Sequence, residues 1–296
     1  MTNAGDRGFV IVTGAGGHIG RAVCRLLAST EVQFLAFDVD PDAERGILAL
    51  DLRLKDDIAR LFRTHPVRAV IHLAGILPSA FQRDPLTGVD VNLMGCVELL
   101  RQAVKVRVKR FVFASSMSVY GSRRTPRPVT EEDAAAPDEP YGACKRAVEI
   151  VGDTLARGLA IEFVALRIAR VIGPGIKKTS SPWRSQIFEQ RSEQDPIQIP
   201  FEPGTELSLV HVEDVARMLV TLAEASRLQS GVYNTPAETW EVKSLKEAVE
   251  EAKGVRIELG MDSPHGGPGC DGSRFAKEFG FQLQGLREVL TRRNDD

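Results

Sequence analysis

A doubly wound parallel sheet with helices on both faces is the fold class the sequence predicts, and three observations carry that expectation. A short β-rich run, Phe9-Val10-Ile11-Val12, leads straight into Thr13-Gly14-Ala15-Gly16-Gly17-His18-Ile19-Gly20 and then into apolar residues at helical spacing up to Leu27. Strand-like and helix-like segments then alternate regularly through the first half of the chain. A second strand-like run ends in Asp38, about twenty residues beyond the glycine turn, where dinucleotide-binding sheets place a ribose-binding acid.

Strand, glycine turn and helix together form the context in which glycines carry a binding function. Gly14, Gly17 and Gly20 let the backbone turn tightly and approach a pyrophosphate, which rests on the unpaired N–H groups of the helix start around His18 and Ile19. Asp38 follows the run 32–37 and is placed to accept hydrogen bonds from ribose hydroxyls. Its carboxylate would repel a 2′-phosphate, and no Arg follows immediately, so the expected cofactor is NAD rather than NADP. Asp40 precedes Pro41 and reads as turn chemistry.

The remaining elements follow in order. Residues 47–52 form a third strand ending in Asp51-Leu52, and a polar helix covers 55–65. The run 67–73 is apolar apart from Arg68 and His72 and reads as a strand buried on both faces of a parallel sheet. An amphipathic helix at 89–106 precedes a strand at 110–114. A helix starting at Tyr141 is marked by Ala147, Val148, Ile150, Val151 and Leu155, and a strand follows at 161–168. Right-handed crossovers then build the sheet. After about residue 170 the pattern degrades, punctuated by Pro174, Gly175, Pro182, Pro196, Pro200, Pro203 and Gly204. One further sheet strand at 208–212, its helix at 215–228, a Gly/Pro-rich loop at 260–272 and a final helix complete the chain. The expected division is a cofactor-binding domain over 1–169, completed by 206–235, with 170–296 as a smaller substrate-binding part.

Composition narrows the function classes. The 296 residues are 43% hydrophobic and 26% charged, as in an ordinary soluble globular protein, and the net charge of −2 gives no reason to expect nucleic acid or an anionic membrane as partner. Cys24, Cys96, Cys144 and Cys270 are scattered without metal-ligand or paired spacing, and the five histidines are dispersed. No metal is expected. A reduced, cytoplasmic setting is the economical reading, with neither an apolar leader nor a run of about 18 apolar residues.

Chemistry concentrates in Tyr141-Gly-Ala-Cys-Lys145, downstream of Ser115-Ser116 and Val119-Tyr120-Gly121. Tyr and Lys four residues apart share one helix face, and a phenol beside a cation ionises more easily. Bringing a Tyr from a pKa of about 10 to neutrality takes about 4 kcal/mol, which Lys145 and a positively charged cofactor ring supply together in this reading. Such a Tyr is a general base for an alcohol proton. Cys144 reads as packing, and His18 and His72 as structural or backbone-cradling residues. Ser118 reads either as a second hydroxyl contact or as a turn hydroxyl.

Taken together, these residues resemble the extended short-chain dehydrogenase/reductase family, whose members include nucleotide-sugar epimerases and dehydratases. The likeness covers most of the chain. Thr13 to Gly20 is similar to the family's TGxxGxxG, Asp51-Leu52 to its adenine-contacting pair, and Ile71-His72-Leu73-Ala74-Gly75 to its HLAA segment. Asn92 sits where the family keeps a site-supporting Asn. Ser115 to Gly121 resembles SSxxVYG, Leu166-Arg167 with Gly173-Pro174-Gly175 resembles LR…GPG, and His211 to Val215 resembles HVxDV. The resemblance implies Ser116 as the catalytic hydroxyl, Tyr141 as the base and Lys145 as the lysine that holds the nicotinamide ribose. It also implies cofactor contacts from Leu73, Ala74, Gly75 and Asn92, and homodimerisation through the helices that start near Val89 and Tyr141.

Departures from the family bear on substrate. Met117 and Ser118 stand where sugar-nucleotide 4,6-dehydratases keep an Asp-Glu pair, so that dehydration lacks its acid and base. Arg170 stands where nucleotide-sugar enzymes usually keep Asn, and Leu207-Ser208-Leu209 where they keep Arg-Asp-Phe. An apolar Leu207 removes a diphosphate contact and points to a smaller substrate. Ser116, Met117, Arg170 and Arg184 are the expected substrate contacts, with the alternative that Arg170 pairs with Asp214, Glu213 or another acid of the protein. The sequence predicts an NAD-dependent enzyme that oxidises a secondary hydroxyl of a sugar-like molecule. A dehydrogenase of a small sugar or sugar acid leads, a nucleotide-sugar epimerase is the alternative, and a non-catalytic NAD sensor has no use for the retained Ser, Tyr and Lys.

Overall fold

Seven parallel strands carry the larger part of the protein in the computed structural model, which describes residues 8–159, 161–176, 181–189, 195–261 and 266–291. They are β1 (Phe9–Thr13), β2 (Phe34–Asp38), β3 (Ile47–Ala49), β4 (Val67–His72), β5 (Arg110–Ser116), β6 (Glu162–Ile168) and, much later in the chain, β10 (Val232–Asn234). Their order is β10-β6-β5-β4-β1-β2-β3, so the winding direction reverses between β1 and β4. Ligands of open α/β sheets bind at the carboxyl ends of the strands beside such a reversal.

Both faces of this sheet are covered, which is why the centres of β4 (Ala69 to Ile71) and β5 (Phe111 to Ala114) are apolar without a break. One core lies under the helices His18–Ala28 and Val212–Glu224, around Val10, Val12, Ile71, Val112, Val215 and Leu219. The other lies under Lys55–Thr64, Cys96–Lys105 and Pro140–Gly158, around Ile11, Val70, Leu99, Phe111 and Phe163. Gly152 allows that last helix to seat directly on the Phe163 ring, since an added Cβ would meet the ring at 2.3 Å.

The smaller part has its own core of Trp183, Ile187, Ile197, Leu209, Trp240 and Leu245. It holds β7 (Arg170–Ile172), β8 (Ile197–Ile199), β9 (Glu206–His211), β11 (Glu238–Glu241) and β12 (Ile257–Leu259). These form a three-stranded sheet in the order β11-β9-β7 and the pair β12-β8. Two expectations change here. The strand near 208–212 exists as β9, but it joins this smaller sheet, and the seventh place of the main sheet goes to β10 beside β6. The helix placed at 89–106 is continuous from Pro85, with a π-helical stretch over Asp90–Gly95. Among the described residues no helix is long and apolar enough to cross a membrane, and no group of His, Cys, Asp and Glu is arranged to hold a metal.

Candidate active site

The glycine turn joins β1 to its helix with almost no free space. Gly14 has φ +72°, and an added Cβ would meet the Ala74 nitrogen at 2.5 Å, while one at Gly20 would meet the Gly14 carbonyl oxygen at 2.1 Å. Both close approaches bring helix, turn and the β4 end together as a phosphate cradle requires. Asp38 at the end of β2 accepts hydrogen bonds from the Gly16 N–H at 2.9 Å and the Asp40 N–H at 3.1 Å, so its carboxylate is fixed beside the turn. The helix behind Gly17 has no side-chain cap and no acid in its first turn, leaving its N–H groups and positive dipole end uncompensated by the protein.

Cations gather at the same point. Arg21 donates to the carbonyl oxygens of Gly16 at 2.6 Å and Gly175 at 2.5 Å, pinning the glycine turn to the Gly173-Pro174-Gly175 loop. Burial, with Arg21, His211, Arg184 and Arg25 nearby, holds His18 down at about 4, so its imidazole is neutral at physiological pH. These features fit a dinucleotide whose diphosphate lies on the helix start.

The other cofactor-side residues fall into two groups. Leu73, Ala74 and Gly75 follow β4 at the sheet's carboxyl edge, with the Leu73 N–H bonded to the Thr13 carbonyl oxygen at 3.1 Å. His72 is buried against the Thr13 hydroxyl at 2.7 Å and is pushed down to about 3 by burial and by Lys145, so it is a neutral structural group. Asn92 spends both ends of its amide on the Ile76 backbone, at 2.7 and 2.8 Å, and thus holds the loop after Gly75. Asp51 is held by Arg53 and lies below the usual carboxylate range because of that contact, while Leu52 is buried against Gly95.

Ser116, Tyr141 and Lys145 come together although 25 and 29 residues separate the latter two from the serine in the sequence. Ser116 ends β5, and its Oγ accepts from the Ser118 N–H at 3.1 Å and stands close enough to the Tyr141 phenol to favour its ionisation. Lys145 lies one turn further along the helix, 5% exposed, with Nζ donating to the Ala114 carbonyl oxygen at 2.7 Å. Its ammonium sits 4.7 Å from the centre of the Phe113 ring and 5.6 Å from that of Tyr141. Cys144 is buried, its thiol raised by burial, in keeping with packing.

The protein's own groups supply no net part of the downward Tyr141 shift expected from Lys145 and a cationic cofactor ring together. Burial pushes the phenol up to about 12, and the Ser116 contact opposes this only in part. Lys145 is itself lowered to about 8 by burial. The protein's own groups therefore do not bring the phenol toward neutrality, and the remaining stabilisation of phenolate must come from positive charge brought into the site.

A buried polar network with little signature in the sequence backs this arrangement. Glu149, two turns beyond Tyr141, takes a bidentate contact from Arg167 and a 2.5 Å hydrogen bond from Ser115. Arg167 also donates to the Tyr120 phenol oxygen at 2.6 Å, and that phenol donates on to Asn234. Such a fully paired network fixes β5, β6 and the Met117–Tyr120 turn relative to the helix of Tyr141. The signal available was the Glu four residues after Lys145 and the Arg of the LR segment.

Of the expected substrate contacts, Met117 follows Ser116 directly, and Cys270 Sγ lies 3.4 Å from its Sδ. Arg170 begins β7, just after the β6 residue Ile168 that is registered with Ser116. Arg184 lies near Arg170 and gives its carbonyl oxygen to the Gly173 N–H. Asp214 is taken by Arg217 and Gln284, and Glu213 by Arg25, so neither pairs with Arg170. Leu207 is wholly buried in the smaller core, so it lines no open surface; what matters at its position is the missing cation. A cleft of about 560 Å³ between the loop 124–128 and Ser208, Thr239 and Gly266 contains none of Ser116, Tyr141 and Lys145.

With this geometry, the sequence pattern described as "NAD dependent epimerase/dehydratase family" matches residues 10–235, most of the chain. The chain belongs to that family. It is accordingly an NAD-dependent enzyme of the extended short-chain dehydrogenase/reductase type, with NAD as its cofactor. It is 29% identical to UDP-glucose 4-epimerase 2 of Oryza sativa subsp. japonica over 290 residues, covering 84% of this chain and 71% of that protein. Against UDP-glucose 4-epimerase of Halalkalibacterium halodurans it is 28% identical over 171 residues, 55% of this chain and about half, 51%, of that one. The crystal structure of L-threonine dehydrogenase from Phytophthora infestans has the same fold, with a TM-score of 0.84 at 16% identity and 96% of each chain covered.

Proposed function

We propose that this enzyme removes a hydride from a secondary alcohol of a compact, sugar-like molecule and releases the ketone together with reduced NAD. The observation that carries the reading is the buried Lys145 ammonium, fixed at the Ala114 carbonyl oxygen 5.6 Å from the centre of the Tyr141 ring, near the end of β5 where Ser116 stands. In this reading residues 1–169, completed from 206–235, hold the cofactor, and 170–296 cover the substrate.

Bound NAD supplies a hydride acceptor and a positively charged ring. Gly14, Gly17, His18, Ile19 and Gly20 would hold its diphosphate and Asp38 its ribose hydroxyls. The protein's residues supply the rest. Ser116 Oγ accepts from the Ser118 N–H, so its own proton is available to the oxygen of the reacting alcohol. Tyr141, on the helix beside that hydroxyl, takes the alcohol proton as negative charge develops on the substrate oxygen. Lys145 is fixed by the Ala114 carbonyl oxygen with two N–H bonds left to offer, and its charge favours phenolate once the site also holds the cationic ring. The helix 78–83 sets Phe81 edge-on to Tyr141, 6.5 Å between ring centres, and this packing shields the phenol from water.

Release of ketone is favoured over return of the hydride by the replaced diphosphate contacts, Leu207 in the core and Arg170 in place of Asn. The epimerase reading is supported by the two UDP-glucose 4-epimerases named above. A substrate panel decides between them. Small polyols and sugar acids incubated with enzyme and NAD should yield reduced nicotinamide, seen by its absorbance, whereas UDP-glucose should give neither net reduction nor UDP-galactose. Interconversion of those two nucleotide sugars without net reduction would establish the epimerase instead.

A further inference from the structure

Among the described residues Arg170 is a cation without an acid. Its Nε is buried and has no hydrogen-bond partner, and its hydrogen bond to the protein is a long one, from Nη2 to the Gly266 carbonyl oxygen at 3.3 Å. The Phe201 ring covers one face of the guanidinium, 5.0 Å from ring centre to Cζ. Among the described residues no carboxylate reaches it, and its charged neighbour is another cation, Arg184. The nearby acids are committed elsewhere: Asp214 to Arg217, Glu213 to Arg25, Glu206 to Arg124 and Glu238 to Trp240 and the Leu286 N–H. Burial and Arg184 lower the guanidinium to about 10. A half-buried charge in this state costs folding free energy unless an anion completes it.

Its place ties it to the reacting centre. Arg170 stands two residues beyond Ile168, the β-partner of Ser116, which is about 7 Å along an extended chain. The strap that starts at Gly266 ends at Cys270, whose thiol touches Met117, the residue after Ser116, and whose N–H is held by Ser208 Oγ at 3.0 Å. Four residues of chain span at most about 14 Å, so Gly266, to which the guanidinium is bonded, lies within that reach of the cysteine that touches the residue after Ser116.

We propose that Arg170 binds the carboxylate of the substrate, which is a small hydroxy acid whose oxidised carbinol lies a few bonds from that carboxylate. The proposal rests on the hydride-transfer reading above and names its substrate class. A planar monoanion suits a guanidinium stacked on one face, because only the in-plane N–H edge is left to offer, and a carboxylate accepts two such bonds side by side. Position 207, buried and apolar, adds no cation for a nucleoside diphosphate.

The test is calorimetric titration of the NADH-bound protein with two matched pairs, galacturonate against galactose and gluconate against glucitol. At least one acid should bind about 10- to 100-fold more tightly than its neutral partner. Arg170→Ala should bring the pair to near equality while leaving NADH affinity unchanged, which also shows that the variant is folded. Arg170→Lys should retain an intermediate preference, as a point charge without the planar fork. No preference for either acid, or a preference that survives Arg170→Ala, would overturn the assignment. So would micromolar binding of UDP that Arg170→Ala abolishes, since the guanidinium would then serve a diphosphate. Failure of the hydride-transfer reading has a separate signature: the acid binds through Arg170, yet no reduced nicotinamide forms when NAD replaces NADH.

Discussion

Replacing Lys145 by Met should make the protein more stable while disabling it. The ammonium is 5% exposed, its one hydrogen bond goes to the Ala114 carbonyl oxygen, and burial moves it from 10.5 to about 8. That displacement corresponds to about 3 kcal/mol against the charged form, at about 1.4 kcal/mol per unit. Methionine fills nearly the same volume without charge, and the lost hydrogen bond returns about 1 kcal/mol of the gain. The variant should therefore be about 2 kcal/mol more stable at pH 7, raising Tm by about 4 °C. The pH dependence has a definite sign. The folded state gives up the Lys145 proton at about 8 and the unfolded chain at 10.5, so the unfolded chain binds the extra proton between those values. Wild-type stability from this group then rises with pH across that window, and the advantage of Lys145→Met shrinks there. Urea unfolding of both proteins without added nucleotide, at pH 7 and near pH 10, measures it. A variant less stable than wild type at pH 7, or an advantage that does not shrink with pH, would refute the account of a buried cation retained for function at a cost in stability.

The remaining predictions concern chemistry and cofactor choice. Ser116→Ala should lower kcat more than it raises KM, because its contact strengthens as charge develops on the substrate oxygen; a rise in KM alone would assign it to ground-state binding. Asp38 should favour NAD over NADP, since a 2′-phosphate would face its carboxylate. Titrating wild type and Asp38→Asn with both cofactors should show that preference narrowing in the variant, and tighter NADP binding by wild type would overturn the role of Asp38.

The sheet-forming half of the fold was legible because its signals are local. Glycine turn, continuous apolar strands and amphipathic helices each fit within about ten to twenty residues, and the structure places β1 to β6 where those signals lie. β10 was missed because three residues, Val232–Asn234, carry no period of their own, and only pairing with β6 makes them a strand. The same limit sent β9 to the main sheet: its apolar pattern says that it is buried, not beside which strand. Ser116, Tyr141 and Lys145 were legible through their resemblance to a known pattern, but the direction of the Tyr141 shift was not. It depends on how much water the fold removes from the phenol, and sequence spacing supplied only the opposing effect of Lys145. The missing partner of Arg170 was likewise invisible, since it follows from where Asp214, Glu213 and Glu206 find theirs.

The most direct test of the central claim is a single-turnover comparison of wild type with Tyr141→Phe. Each is mixed with NAD and the substrate that gives reduced nicotinamide in the panel, prepared with protium or deuterium on the carbinol carbon. Direct hydride transfer with Tyr141 as base predicts that wild type carries the deuterium onto the nicotinamide and slows on deuteration. Tyr141→Phe should bind NAD normally yet lose at least about 10²-fold in rate. Label lost to water, or a Tyr141→Phe variant that turns over at the wild-type rate, would contradict the account.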